Sequence, residues 1–242
     1  GLIYTMVYIT NIRIKNGLKE FFEQENKTMP KFLNKTIAFI SALIISSYTS
    51  NFILQKAMLC FNATQFGITD PNFGIDIGYY IFQAPFIGLV LWYFIIATIV
   101  LLLYKVVYYV VTFNIFFNGV DKKTVKNSKL VKEVTTSIKV LAVLLAGFIL
   151  LKAQDIGSSK FLSLNNDGAS YSLYGAGFVD STIKVWGYRF LSIIVILSVF
   201  KAVQKYRREQ TKQMIGWMAV VPAYLVLLFI AMLATQTIYV DA

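Results

Sequence analysis

A chain of 242 residues that is 57% hydrophobic, 16% aromatic and only 14% charged is too apolar for a soluble globular domain, where charged residues run at about 25%. Its formal charge of +11 sits in short segments between apolar blocks rather than on the basic face of a soluble fold, which excludes nucleic acid as a partner and points to anionic lipid headgroups at the cytoplasmic face. With one cysteine and no histidine, the chain lacks the side chains that zinc, haem and His-based catalysis draw on, so no cofactor and no metal site are expected.

In chain order, the apolar blocks predict an all-α fold: a polytopic transmembrane helix bundle with five full spans and one partial span at the N-terminus. Residues 1–12 open on an apolar, aromatic run with no charged n-region, so they read as the end of a span and not as a signal peptide. Together with the stop at Asp241 and Ala242, just beyond a span, this reads as an internal piece of a longer protein. From Asn16 to Lys31, Leu18, Phe21 and Phe22 stand among charges, the pattern of a short interfacial helix or of a solvated basic loop. Full spans are expected at 36–55, 86–111, 137–153, 185–203 and 215–235. The 86–111 block exceeds the ~20 residues a span needs and should tilt or project. The 137–153 block is short, with Lys139 and Lys152 placed to snorkel at its ends. Pro222 predicts a local kink in the last span. The pairs Ala142/Ala146 and Ala219/Ala223 suit close helix packing.

Charge orients the bundle. Eighteen of the 23 basic side chains fall in or beside the 13–35, 112–136 and 204–214 segments, counting Lys105 with the second of these. The acidic residues divide evenly between the two sides, so the asymmetry belongs to Lys and Arg, as the positive-inside rule requires. Those three segments are therefore expected in the cytoplasm of a bacterium, with 56–85 and 154–184 outside its plasma membrane.

The first outer loop carries Asp70-Pro71, a turn or helix start in which a carboxylate can cap backbone N–H groups. Phe73, Gly74 and Asp76 follow, then the aromatic run Tyr79, Tyr80, Phe82 and Phe86 at headgroup level. A calcium loop starting at Asp70 fails, because Ile75 stands where glycine belongs and Ile81 where the bidentate glutamate belongs. The second outer loop has a turn signal at Asn165-Asn166-Asp167-Gly168, then Tyr174, Gly175, Gly177 and Asp180. Its glycines do not follow a strand and open a helix on the cytoplasmic side, as a nucleotide loop would. Arg189 lies about one turn inside the 185–203 span, after Trp186 and Tyr188. It either snorkels to the outer headgroups or is a buried partner for Asp180 or Asp76 that fixes the outer loops to the bundle.

At these two loops the chain resembles the large bacterial membrane proteins grouped as uncharacterised protein family 0182. The resemblance rests on Phe66-Gly-Ile-Thr-Asp-Pro-Asn-Phe-Gly-Ile-Asp-Ile-Gly-Tyr-Tyr-Ile-Phe-Gln-Ala-Pro-Phe86, on Tyr174-Gly-Ala-Gly-Phe-Val-Asp180, and on the later Arg189. Phe178 and Val179 stand where the family usually has tyrosine and threonine. The resemblance implies a bundle of about seven spans followed by a large extracytoplasmic region, so a first span and an outer domain would lie beyond this chain. It implies no activity.

The function expected is that of an envelope anchor and assembly platform rather than an enzyme, with outer loops docking the protein's own extracytoplasmic domain or an envelope protein. The near absence of ionisable groups at mid-membrane argues against an ion-coupled pump. A transporter or channel for a lipid or other apolar substrate is the alternative, with a groove lined by Ser41, Ser46, Ser47 and Tyr48. An outward-facing enzyme would need a carboxylate pair among Asp70, Asp76, Asp155, Asp167 and Asp180.

Overall fold

A backbone in a low-dielectric medium must satisfy its own hydrogen bonds, and the long apolar blocks do so as helices. In the computed structural model the described residues are 1–31, 34–70, 73–117, 119, 128–156, 160–166, 169–174 and 177–240. Six α-helices follow in order: α1 (Leu2–Gln24), α2 (Asn34–Phe61), α3 (Ala84–Phe116), α4 (Lys129–Asp155), α5 (Val185–Arg207) and α6 (Thr211–Thr235). Five helical segments, 34–61, 79–116, 129–155, 180–207 and 211–239, are long and apolar enough to cross a membrane. At 1.5 Å per residue the 33 residues of α3 reach about 50 Å, well beyond the ~30 Å of a hydrocarbon core. The short 137–153 block is the middle of a 27-residue helix.

The one departure from all-α architecture among the described elements is an antiparallel hairpin in the second outer loop, β1 (Lys160–Asn166) with β2 (Ala169–Tyr174). Asn166 pairs with Ala169 at its tip, which agrees with the turn signal at 165–168; Asp167 and Gly168 themselves lie outside the described residues. Three single π-helical turns extend the helices: π1 (Tyr79–Gln83) leads into α3, π2 (Asp180–Lys184) leads into α5, and π3 (Gln236–Val240) follows α6.

The chain divides into two compact units, residues 1–55 with 94–141, and residues 56–93 with 142–242. The first is built around the lower half of α1. Residues 13–24 are neither a loop nor a separate interfacial helix; α1 runs unbroken through them to Gln24. The reason is the spacing of Ile14, Leu18, Phe21 and Phe22, which form one apolar stripe. That stripe packs on Tyr109, Phe113 and Leu130 as the core of the unit. Phe21 meets Phe113 edge-on at 5.0 Å, and Phe22 meets Phe116 and Phe117 at 5.3 and 5.1 Å. Edge-to-face pairs of this kind add about 0.5–1.5 kcal/mol each beyond area burial. Lys27 Nζ donates to the Phe116 carbonyl at 2.7 Å, supplying a donor and a positive charge to the C-terminal end of α3, where both are favourable.

In the second unit α5 and α6 form a helical hairpin. Leu191 and Val195 pack with Ala142 of α4, with Val221 and Tyr224 of α6 alongside. Tyr224 donates its hydroxyl hydrogen to the Gly187 carbonyl at 3.0 Å, and the Ser198 hydroxyl donates to the Trp217 carbonyl. Ala142 and Ala146 are each 2% exposed, as close packing predicts. Ala219 and Ala223 are exposed instead, so that small-residue pair is not buried by close packing among the described residues. Helix α6 continues through Pro222.

Candidate functional site

The first outer loop folds into a clasp. Thr69 and Asp76 form an antiparallel bridge, flanked by Asp70 N–H to Ile75 O at 2.8 Å and Ile77 N–H to Ile68 O at 2.9 Å. Asp76 closes the base: its carboxylate accepts the N–H groups of Gly78 at 2.7 Å, Gly67 at 2.8 Å and Phe66 at 3.1 Å. These donors, Phe66 foremost and then Gly78 and Gly67, hold the Asp76 carboxyl below the usual carboxylate range, against a smaller opposing effect of burial. Asp70 closes the tip, accepting the Phe73 N–H at 2.9 Å and the Tyr80 hydroxyl at 3.3 Å. Glycine is required at two places. Gly74 turns the chain at φ +65°, a conformation that costs residues with a Cβ. At Gly78 an added Cβ would collide with the Thr64 carbonyl oxygen and crowd Asp76 Oδ1 at 2.9 Å.

The clasp is fastened to the helices by rings. The Arg189 guanidinium lies over the Phe73 ring at 5.1 Å and over the Trp186 ring at 4.7 Å, a planar cation stacked between two π-faces. Below it, the Tyr79 hydroxyl donates to Gln154 Oε1 at 3.0 Å, and Trp92 meets Phe148 at 5.4 Å. The expected ionic partners of Arg189 are engaged elsewhere: Asp76 with backbone N–H groups, Asp180 with Lys184 at 3.1 Å. Arg189 makes no ion pair among the described residues. It does hold an outer loop to the bundle, through an aromatic ring instead of a carboxylate.

The second motif is placed only in part. Gly175 lies outside the described residues, as does Pro71 in the first motif; Tyr174 closes strand β2 opposite Lys160, so that, against the expectation from sequence, this glycine segment does follow a strand and precede a helix. The Gly177 carbonyl accepts the N–H and the hydroxyl of Ser181 at 2.9 and 3.1 Å, and Asp180 opens π2. Phe178 meets Tyr239 of π3 at 6.2 Å. Two of these π-helical turns, π1 and π2, lie in segments that the charge pattern assigns to the outside. Such turns are uncommon and concentrate at functional sites.

Among the described residues, the outer carboxylates are committed to separate local partners. Asp155 pairs with Lys152 at 2.7 Å, Asp70, Asp76 and Asp180 are committed as above, and Asp167 lies outside the described residues. Two of the hydroxyls expected to line a groove on α2 are turned back on their own helix. Ser41 and Ser47 donate to the Ile37 and Ile44 carbonyls of their own helix, and Tyr48 is 84% exposed.

Sequence reasoning missed a second polar cluster. Lys105, grouped above with loop charges, lies inside α3 and is 3% exposed. Its Nζ donates to Ser137 Oγ of α4 at 2.8 Å, while Arg13 of α1 lies 3.6 Å from Glu133. Thr10, Arg13, Lys105 and Ser137 share a cavity of about 200 Å³ with Leu101 and Val140. Nearby, the Tyr104 hydroxyl donates to Asn11 Oδ1 at 2.9 Å, and Asn11 Nδ2 is buried without a hydrogen-bond partner among the described residues. The signal available was Lys105 falling inside the expected 86–111 span, with Thr10 and Arg13 at the end of the expected 1–12 span.

An all-α bundle of apolar helices with an ordered clasp beside it defines a polytopic helical protein of the kind that crosses membranes. The chain belongs to the Uncharacterised protein family (UPF0182), whose model matches residues 4–242. It is 26% identical over 203 residues to a UPF0182 protein of Caldicellulosiruptor saccharolyticus, covering 82% of this chain and 21% of that protein. It is 32% identical over 146 residues to one of Rhodococcus erythropolis (60% and 13%) and 25% identical over 225 residues to one of Alkaliphilus metalliredigens (88% and 23%). The chain thus spans about a fifth of the length of these relatives. No solved structure matches it.

Proposed function

We propose that this chain is the membrane anchor of a larger envelope protein in the bacterial plasma membrane, and that its clasp is the platform on which an extracytoplasmic domain is seated. The 13–35, 112–136 and 204–214 segments face the cytoplasm in this reading, and 56–85 and 154–184 face outward. One observation carries it. The clasp is fixed by two carboxylates and a stacked arginine, yet it presents Phe66 and Ile68 to the surroundings at 51% and 61% exposure. Apolar side chains on a rigid element beyond the helix ends are what a docked partner covers. The local engagement of the described outer carboxylates and of the Ser41 and Ser47 hydroxyls supports this over an outward-facing enzyme or an apolar-substrate transporter.

The test places a photo-crosslinking amino acid at Ile68 of the intact protein in cells. Adducts to the protein's own outer region or to one envelope protein are expected, and they should disappear when Asp76→Ala opens the clasp. Adducts to lipid alone would overturn the reading.

A further inference from the structure

We propose that the cavity walled by α1, α3 and α4 is a phosphate site that holds the headgroup of an anionic phospholipid. This does not depend on the clasp. The floor of the cavity is a buried cation. Lys105 spends one of its three donors on Ser137, and no carboxylate lies within ion-pair distance of it among the described residues. Glu133 is close enough to act on that ammonium, but Arg13 and Lys105 bring two cations against its one carboxylate, and the positive charge left over in a partly buried site favours an anion that arrives from elsewhere. Arg13 supplies a second cation at the rim, with its side chain 49% exposed and only 3.6 Å from Glu133. A guanidinium and an ammonium lining one cavity with the Thr10 hydroxyl match a tetrahedral oxyanion that accepts several hydrogen bonds, and Ser137, whose hydroxyl donates to the Glu133 carbonyl at 3.2 Å, positions the Lys105 ammonium.

The remaining wall selects the source of that phosphate. Ile9 and Val140 line the mouth and are 47% and 48% exposed, with Leu101 behind them. A free anion gains nothing from such a wall, whereas an acyl chain lies along it. The volume of about 200 Å³ is below the ~300–1,000 Å³ of sites that enclose a whole ligand, so it suits a headgroup with its chains left outside. Lys105 also lies on the part of α3 that leads to the lysine-rich 112–136 segment, about 16 Å from its end at Phe116. That is the leaflet in which the charge pattern places anionic lipid.

The experiment uses the full chain in nanodiscs of phosphatidylcholine with a minority of phosphatidylglycerol, read by native mass spectrometry. One tightly retained phosphatidylglycerol is expected. Lys105→Met, which keeps the length and removes the charge, should weaken its retention at least about tenfold, and Arg13→Gln should weaken it less. Lys212→Gln, outside the cavity, should leave it unchanged. If Lys105→Met does not fold, Ser137→Val in place of it carries the same expectation. Equal retention by the cavity variants and the parent would overturn the site. Inorganic phosphate that displaces the lipid at millimolar concentration and stabilises the protein equally would overturn its assignment to a lipid.

Discussion

The contact between Arg189 and Phe73 should appear as a coupling energy. Truncating either side chain removes the stack, but Arg189→Ala also frees Trp186, and Phe73→Ala also strips packing from the clasp. Only a double-mutant cycle isolates the shared part. Cation–π pairs contribute about 0.5–1 kcal/mol at exposed sites and ~2 kcal/mol when desolvated. Arg189 is half-buried, 5.1 Å from the Phe73 ring, so a coupling of about 1 kcal/mol is expected. Arg189→Lys should recover part of the single-mutant loss, since an ammonium keeps the charge but not the planar stack. The assay is equilibrium unfolding of the purified chain in mixed micelles, for parent, both single variants and the double. Additivity within ~0.3 kcal/mol, or a lysine variant no better than alanine, would refute the reasoning.

Asp76 gives the clasp a pH dependence of known sign. Its carboxyl is depressed in the folded chain, so the order it imposes on residues 66–78 is complete above the ordinary carboxylate range and is lost as pH falls through the lower, folded value. Protection of the Gly67 and Gly78 amides, taken as exchange relative to the intrinsic rate at each pH, should therefore fall on acidification, and Asp76→Asn should flatten that response; protection in the parent that does not change with pH would contradict it. In the first unit, Phe22→Ala removes a ring that is 2% exposed and meets Phe116 and Phe117. A destabilisation of about 3–5 kcal/mol is expected, measured by the same unfolding assay, and one below ~1 kcal/mol would mean that the lower half of α1 is not packed as described.

The helices were legible because twenty-residue apolar blocks admit few other structures. The clasp was partly legible, since Asp70-Pro71 marks a turn; that Gly74 must take a positive φ and that Gly78 leaves no room for a Cβ emerge only from the folded loop. Its fastening was not. Arg189 suggested a carboxylate partner because opposite charges are conspicuous in a sequence, whereas a ring such as Phe73 looks like any other headgroup-level aromatic. The continuation of α1 was obscured because Arg13, Lys15 and Lys19 interrupt the apolar run without interrupting the helical stripe of Ile14, Leu18, Phe21 and Phe22. Lys105 was hidden for a related reason. A lysine near a span end reads as snorkelling to water, and only packing by α1 and α4 turns it into a buried charge. That correction also removes the absence of buried ionisable groups as an argument about function.

The account depends most on which side of the membrane the clasp occupies. A membrane-impermeant thiol reagent tests this on intact cells, with single cysteines introduced in a Cys60→Ser background at Gln65, beside the clasp, and at Gln210, in the turn between α5 and α6. Labelling of Gln65→Cys in intact cells, with Gln210→Cys reached only after permeabilisation, is the predicted result. The reverse pattern would place the clasp in the cytoplasm and contradict the account.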